Sequence, residues 1–332
     1  MTKKGLFYTL IMCSGICLGM LFTGCQSSQT TTILHLGHGL PTKHPVHKAM
    51  VYMQEQLEEK SGGKMKIKIY SDAQLGPERV LLELVQIGSI AMTKVSGAAM
   101  TNFAPEYGVL EMPYLFRDKD HMFSVFEGKI GREILSKGEQ FWLRGLCFYD
   151  AGSRSFYTKE KPIETPEDLE GLKIRVQNSQ NAVAMVNILG GAATPIPYGE
   201  LYTALQQGVV DGAENNPPSL YTSRHYEICK YYSLDEHTSV PDILLISTKV
   251  WNSLSDQQRI WLQEAADESA EAQKKYWAES EAESMRIMEE AGVEITRPDK
   301  TPFVEKVQPL VEALKDDKPV VYELYQRIKT VQ

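Results

Sequence analysis

The chain opens with Lys3 and Lys4 followed by an uncharged stretch over residues 6–21. Beyond Thr32 the hydrophobic positions switch repeatedly between a period of two and a period near 3.6. Residues 33–36 predict a short strand. Residues 45–59 carry helical apolar spacing, stopped by Ser61-Gly62-Gly63. Lys64-Met65-Lys66-Ile67-Lys68-Ile69-Tyr70 alternates cationic and apolar side chains, as a half-buried strand does, and a helix follows over 78–88. This order is a βαβ opening.

The alternation resumes further along. Thr165-Pro166-Glu167-Asp168 supplies an N-cap, a first-turn proline and first-turn acids, predicting a short helix that ends at Gly171. A strand is expected over 172–176, a helix over 178–189 closed by Gly190-Gly191, and an extended piece over 193–196. A helix over 199–207 follows, then a short strand and turn at Val209-Val210-Asp211-Gly212. Ser255-Asp256-Gln257-Gln258 is a capping box, and no Gly or Pro interrupts the chain from there to Ala291. Such a helix runs roughly 54 Å and should cross two lobes. Two lobes are also expected because the chain exceeds the usual single-domain size.

The N-terminal stretch has a signal-peptide pattern and falls short of the ~20 apolar residues that span a bilayer. It closes on Leu21-Phe22-Thr23-Gly24-Cys25, which resembles the bacterial lipobox, with Phe22 where an aliphatic residue is usual. Cys25 is therefore the expected lipidation site, and a plain secretory signal is the alternative. Residues 26–32 are small and polar, as a tether should be. The chain has 35 basic and 43 acidic residues, a net charge of −8, and losing Lys3 and Lys4 with the signal makes it −10. That balance argues against a nucleic-acid partner. Only Cys147 and Cys229 remain besides Cys25, too few for a disulfide framework.

His35, His38, His44 and His47 lie within thirteen residues. His35 and His38 should face opposite sides of a strand. His44 and His47 could converge on a metal, but solvated or capping roles are favoured over a zinc site. The nucleophile elbow, the zinc-protease motif, the P-loop and the dinucleotide fingerprint are all missing, so hydrolase and oxidoreductase readings lack a positive feature. Arg154 follows a glycine turn, and Arg175 sits inside the strand Leu172-Lys173-Ile174-Arg175-Val176. A cation among apolar strand residues needs a partner, either an internal acid or an anionic ligand. Taken alone, Arg175 favours the internal salt bridge.

Several longer words turn that balance. Gly171-Leu172-Lys173-Ile174-Arg175-Val176-Gln177-Asn178, the segment from Ala193 to Gln206, and Val210-Asp211-Gly212-Ala213-Glu214-Asn215 closely resemble the solute-binding subunits of TRAP (tripartite ATP-independent periplasmic) transporters. Asp72-Ala73-Gln74-Leu75-Gly76 and Leu110-Glu111-Met112-Pro113-Tyr114-Leu115-Phe116 match the same family, and the resemblance runs over about 33–292.

The resemblance implies an α/β, two-lobe periplasmic-binding-protein-like fold with a long helix crossing both lobes and ligand in the cleft between them. It divides the chain into a signal peptide (1–24), an anchor and tether (25–32), a first lobe (33–152 with about 240–280) and a second lobe (153–239 with about 281–332). It assigns Arg175 to a two-pronged salt bridge with a solute carboxylate, completed by Arg154 and Asn215. Tyr198 would pack against the solute, though packing at a helix start is an equal alternative. Glu78 and Ser96 would meet its far end, and His237 and His38 are further pocket candidates. No catalytic residue, cofactor or metal is implied. The expected partners are a small and a large membrane subunit, and the expected place is extracytoplasmic, anchored through Cys25. Glu214 to Ser219 and Tyr231 to Thr238 look like members that bind sugar acids such as glucuronate and galacturonate. C4-dicarboxylates, sialic acid and 2-oxoacids remain open, as does an ATP-driven importer.

Overall fold

The computed structural model describes residues 31–332; the signal and lipobox readings lie outside them. Its strands are β1 (Thr32–Gly37), β2 (Met65–Tyr70), β3 (Met92–Ser96), β4 (Leu143–Tyr149), β5 (Arg154–Thr158), β6 (Lys173–Val176), β7 (Ala192–Pro195), β8 (Gly212–Asn215), β9 (Tyr231–Thr238), β10 (Asp242–Ser247) and β11 (Glu294–Thr296). They form two sheets, ordered β2-β1-β3-β10-β4 and β11-β9-β5-β8-β6-β7. In the first sheet β1 runs parallel to β2 and β3, and β10 runs antiparallel to both β3 and β4. In the second, β6 is parallel to β7 and β8, and β5 is antiparallel to β8 and β9.

Each sheet has apolar cores on both faces, so the inner strands β3, β6 and β8 are buried from two sides, while the edge strands β2 and β7 stay partly exposed. One core under the first sheet gathers Leu36, Met50, Met53 and Ile67, the apolar positions of the predicted opening strands and helix. The helix Glu78–Ile87 ends on Gly88, whose φ of 80° is the left-handed conformation that glycine adopts without strain.

The chain passes between the sheets at residues 150–153 and 239–241, and again along the helix Asp256–Glu290. Ser255 and Gln258 form the expected capping box there. Leu262, Ala266 and Trp277 of this helix pack into the first sheet's core, whereas Met285 and Met288 pack into the second's. The long helix therefore crosses both lobes.

Two expectations need correction. Residues 281–332 were expected in the second lobe, but Val321, Leu324 and Ile328 of the helix Pro319–Lys329 lie in the first lobe's core beside Tyr107 and Met122. Their i, i+3, i+7 stripe is buried there, and Arg327 Nη2 donates to Glu133 at 2.6 Å. The short strand and turn expected at residues 209–212 come in the reverse order, and the strand begins only at Gly212. Val209 is exposed, and Asp211 leads into the strand, its N–H donating to the Lys173 carbonyl and its carboxylate accepting from the Lys173 N–H. Gly212 itself has no room for a side chain, since a Cβ would stand 2.4 Å from the Tyr157 carbonyl oxygen. Cys147 and Cys229 are separate, free and buried. Among the described residues no helix is long and apolar enough to cross a membrane.

Candidate functional site

A cavity of about 460 Å³ lies between the lobes. Six of the eight expected residues line it: Arg154, Arg175, Tyr198 and Asn215 from the second lobe, and Glu78 and Ser96 from the first. Three come from neighbouring strands, because β8 lies between β5 and β6, with Ser155 opposite Asn215 and Arg175 opposite Ala213. Arg175 and Asn215 sit toward the carboxyl ends of parallel strands, where ligands of open α/β sheets are found.

The two arginines are held differently. Arg154 is buried against Glu214: Nε donates to Oε2 at 2.5 Å, and Nη2 donates to Oε1 at 2.9 Å and to the Glu214 carbonyl at 2.8 Å. Its Nη1 donates to Asn215 Oδ1 at 2.8 Å. That oxygen also accepts from the Asn216 backbone, which leaves the Asn215 amide NH2 for the cavity. Arg154 thus brings donors to the site with its charge already matched.

Arg175 is 2% exposed and has no carboxylate partner among the described residues. Its Nε donates to the Ile196 carbonyl at 2.8 Å, while Nη1 is buried without a hydrogen-bond partner. Burial pulls its pKa below the usual guanidinium value. The internal salt bridge favoured from its strand context alone is not formed. Tyr198 lies with its ring 5.8 Å from the Arg175 guanidinium carbon, and its hydroxyl is bonded to the Ser219 carbonyl and the Ser223 hydroxyl. It both packs and faces the cavity.

On the opposite wall Glu78, first residue of its helix, accepts from the Ser96 backbone N–H at 2.9 Å. Lys94 and Asp242 join them, and neither was singled out from sequence. Lys94 Nζ is 3.0 Å from Asp242 Oδ1 and 3.7 Å from Glu78 Oε1. Burial would lower the Lys94 pKa, but Asp242 and Glu78 outweigh it and raise it. The signal was available: Met92-Thr93-Lys94-Val95-Ser96 carries a cation in a buried strand, as the Arg175 strand does.

His237 and His38 do not line the cavity. His237 is fully buried behind Arg154, with Nδ1 2.7 Å from Asp235 Oδ2 and Nε2 3.5 Å from Glu214 Oε2; the two acids draw the ring inward. Burial alone would lower its pKa, yet Asp235 and Glu214 push it up to about 9. Burial would raise Glu214, yet Arg154 and His237 take it down to about 2. His38 is committed to its own turn, accepting from the Leu40 N–H and bonded to His47 at 3.0 Å. His44 accepts from the Val46 N–H as the cap of its helix and reaches the Ser219 hydroxyl of the other lobe at 3.3 Å. The histidine cluster is thereby divided among separate tasks.

Preset cationic donors on one lobe, facing Glu78, Lys94 and Asp242 on the other, suit reversible capture of a small anion. Two lobes flanking such a cleft have the architecture of a solute-binding protein. Residues 36–317 match the family described as bacterial extracellular solute-binding protein, family 7. The chain belongs to that family, the solute-binding proteins of TRAP transporters.

A curated relative from Salmonella typhimurium, itself uncharacterised, is 40% identical over 95% of this chain and 96% of its own length. A TRAP periplasmic solute-binding protein of Xanthobacter autotrophicus with bound β-D-galacturonate is 39% identical, covers 90% of this chain and 100% of that one, and has a TM-score of 0.87. One from Anaerococcus prevotii with bound D-glucuronate is 37% identical, covers 91% and 98%, and has a TM-score of 0.89.

Proposed function

We propose that this chain captures a uronate, such as glucuronate or galacturonate, and delivers it to the small and large membrane subunits of a TRAP transporter, catalysing no reaction. The observation that carries the reading is Arg175, a buried guanidinium with an unpartnered nitrogen at the cavity and no acid of its own. A carboxylate seated there would accept paired N–H bonds from Arg175 and further bonds from Arg154 and the Asn215 amide. The uronates bound by the Xanthobacter and Anaerococcus proteins support the choice of solute. Lipidated Cys25 would hold the loaded protein beside its membrane partner.

A thermal-shift screen of sugar acids and dicarboxylates tests the solute, since a ligand bound only by the native state raises the melting temperature. Galacturonate or glucuronate should give the largest shift; no shift with any organic acid overturns the reading. For the anchor, Cys25→Ser should release the protein from the membrane fraction of expressing cells.

A further inference from the structure

The charges facing the cleft are unequally divided between its walls. On the second lobe Arg154 is matched by Glu214 and His237 by Asp235, so Arg175 supplies the uncompensated buried positive charge, with Glu200 exposed at the rim. On the first lobe Lys94 is 3% exposed, too buried to swing away, and is matched by Asp242 at 3.0 Å. Glu78, 3.7 Å from the same ammonium and a quarter exposed, is a second carboxylate for one cation. That wall therefore sets two carboxylates against one buried ammonium; burial pushes the Glu78 pKa up while Lys94 pulls it down, and Asp72 and Arg79 at the exposed rim add one charge of each sign.

We infer that the Lys94, Asp242 and Glu78 wall is a charge filter that accepts the hydroxyl end of a sugar acid and rejects a second carboxylate. A hydroxyl can donate to Glu78 or Asp242 and accept from Lys94. A carboxylate could also accept from Lys94, but it has no proton to donate to Glu78 or Asp242 and would bring a third negative charge beside a single ammonium. Inside a closed cleft, where water no longer screens them, like charges repel most strongly. The cleft thus admits a uronate and excludes the aldarate of the same carbon skeleton. This deepens the uronate reading and rests on Arg175 anchoring the first carboxylate.

Isothermal titration calorimetry at pH 7 with D-galacturonate and with galactarate, its dicarboxylic counterpart, tests the filter. The expected result is galactarate binding weaker by at least about 100-fold. In Glu78→Gln, which keeps an oxygen to accept from the Ser96 N–H, the ratio should narrow at least about tenfold. A melting curve checks that the variant is folded. Galactarate binding within threefold of galacturonate, or a ratio unchanged in folded Glu78→Gln, overturns the filter while leaving the uronate reading intact. If neither compound binds the folded wild-type protein, the uronate reading itself falls and the filter with it.

Discussion

Glu111 Oε2 accepts a hydrogen bond from Ser179 Oγ at 2.5 Å, joining the first lobe's turn Pro105–Glu111 to the cap of the second lobe's helix Gln180–Leu189. Thr101 donates to the other carboxylate oxygen at 2.5 Å, and Asn181 Nδ2 approaches it at 3.4 Å. Beside this seam Asn102 Nδ2 donates to the Asn178 carbonyl at 2.7 Å. These bonds tie one lobe to the other beside the cleft.

Burial pushes the Glu111 pKa up to about 7, against the pull of Ser179, Thr101, Lys318 and Asn181. The native state therefore holds a proton that the unfolded chain gives up, and stability should fall as pH rises from 4.5 to 7. Glu111→Gln should flatten that fall. Urea unfolding at pH 5 and pH 7 checks it, and an identical pH slope in the variant would contradict it.

The His237 cluster acts on the alkaline side. With its folded pKa near 9 and an ordinary value of 6.5, its contribution is complete below pH 6.5 and is lost as pH rises through 9. That loss is on the order of 3 kcal/mol. Glu214, held near 2, contributes above pH 4.5 and loses its contribution as pH falls toward 2. His237→Gln should be destabilised at pH 6 and approach the wild type at pH 9.5 in denaturant titrations.

Arg175 should separate affinity from stability. Arg175→Lys and Arg175→Met should each lose at least about 100-fold in uronate affinity, since a lysine cannot copy a planar fork. Without solute, Arg175→Met should melt no lower than wild type, because it removes a buried cation that lacks a counter-charge. Tight uronate binding by Arg175→Met, measured by calorimetry, would remove Arg175 from the site.

Gly212→Ala should cost about 1–3 kcal/mol, because its Cβ would strike the Tyr157 carbonyl and the Thr158 side chain. The resulting shift of β8 would also misplace Asn215 and weaken uronate binding. Thermal melts and calorimetry on the same preparation read both effects.

Local features were legible in the sequence because their causes are local. The capping box at Ser255, the glycine stop at Gly88 and the alternation before Tyr70 each depend on a few neighbouring residues, and the structure holds all three. The long words around Arg175 and Asn215 likewise carried the family and the two-lobe fold. Which cation was paired could not be read there. Arg154 and Arg175 both sit in strands, and only the approach of Glu214, sixty residues from Arg154, matched one and left the other open.

The same limit applies to Lys94, whose neutraliser Asp242 arrives on an antiparallel strand from the far side of the second lobe, and to the last helix, whose stripe fits an apolar face on the first lobe that its sequence neighbours do not adjoin. Helix starts, strand periods and the family words were determined by the chain itself. The pairing of buried charges was decided by tertiary structure, because charge compensation in a dry interior is set by distance in space and not by separation along the chain.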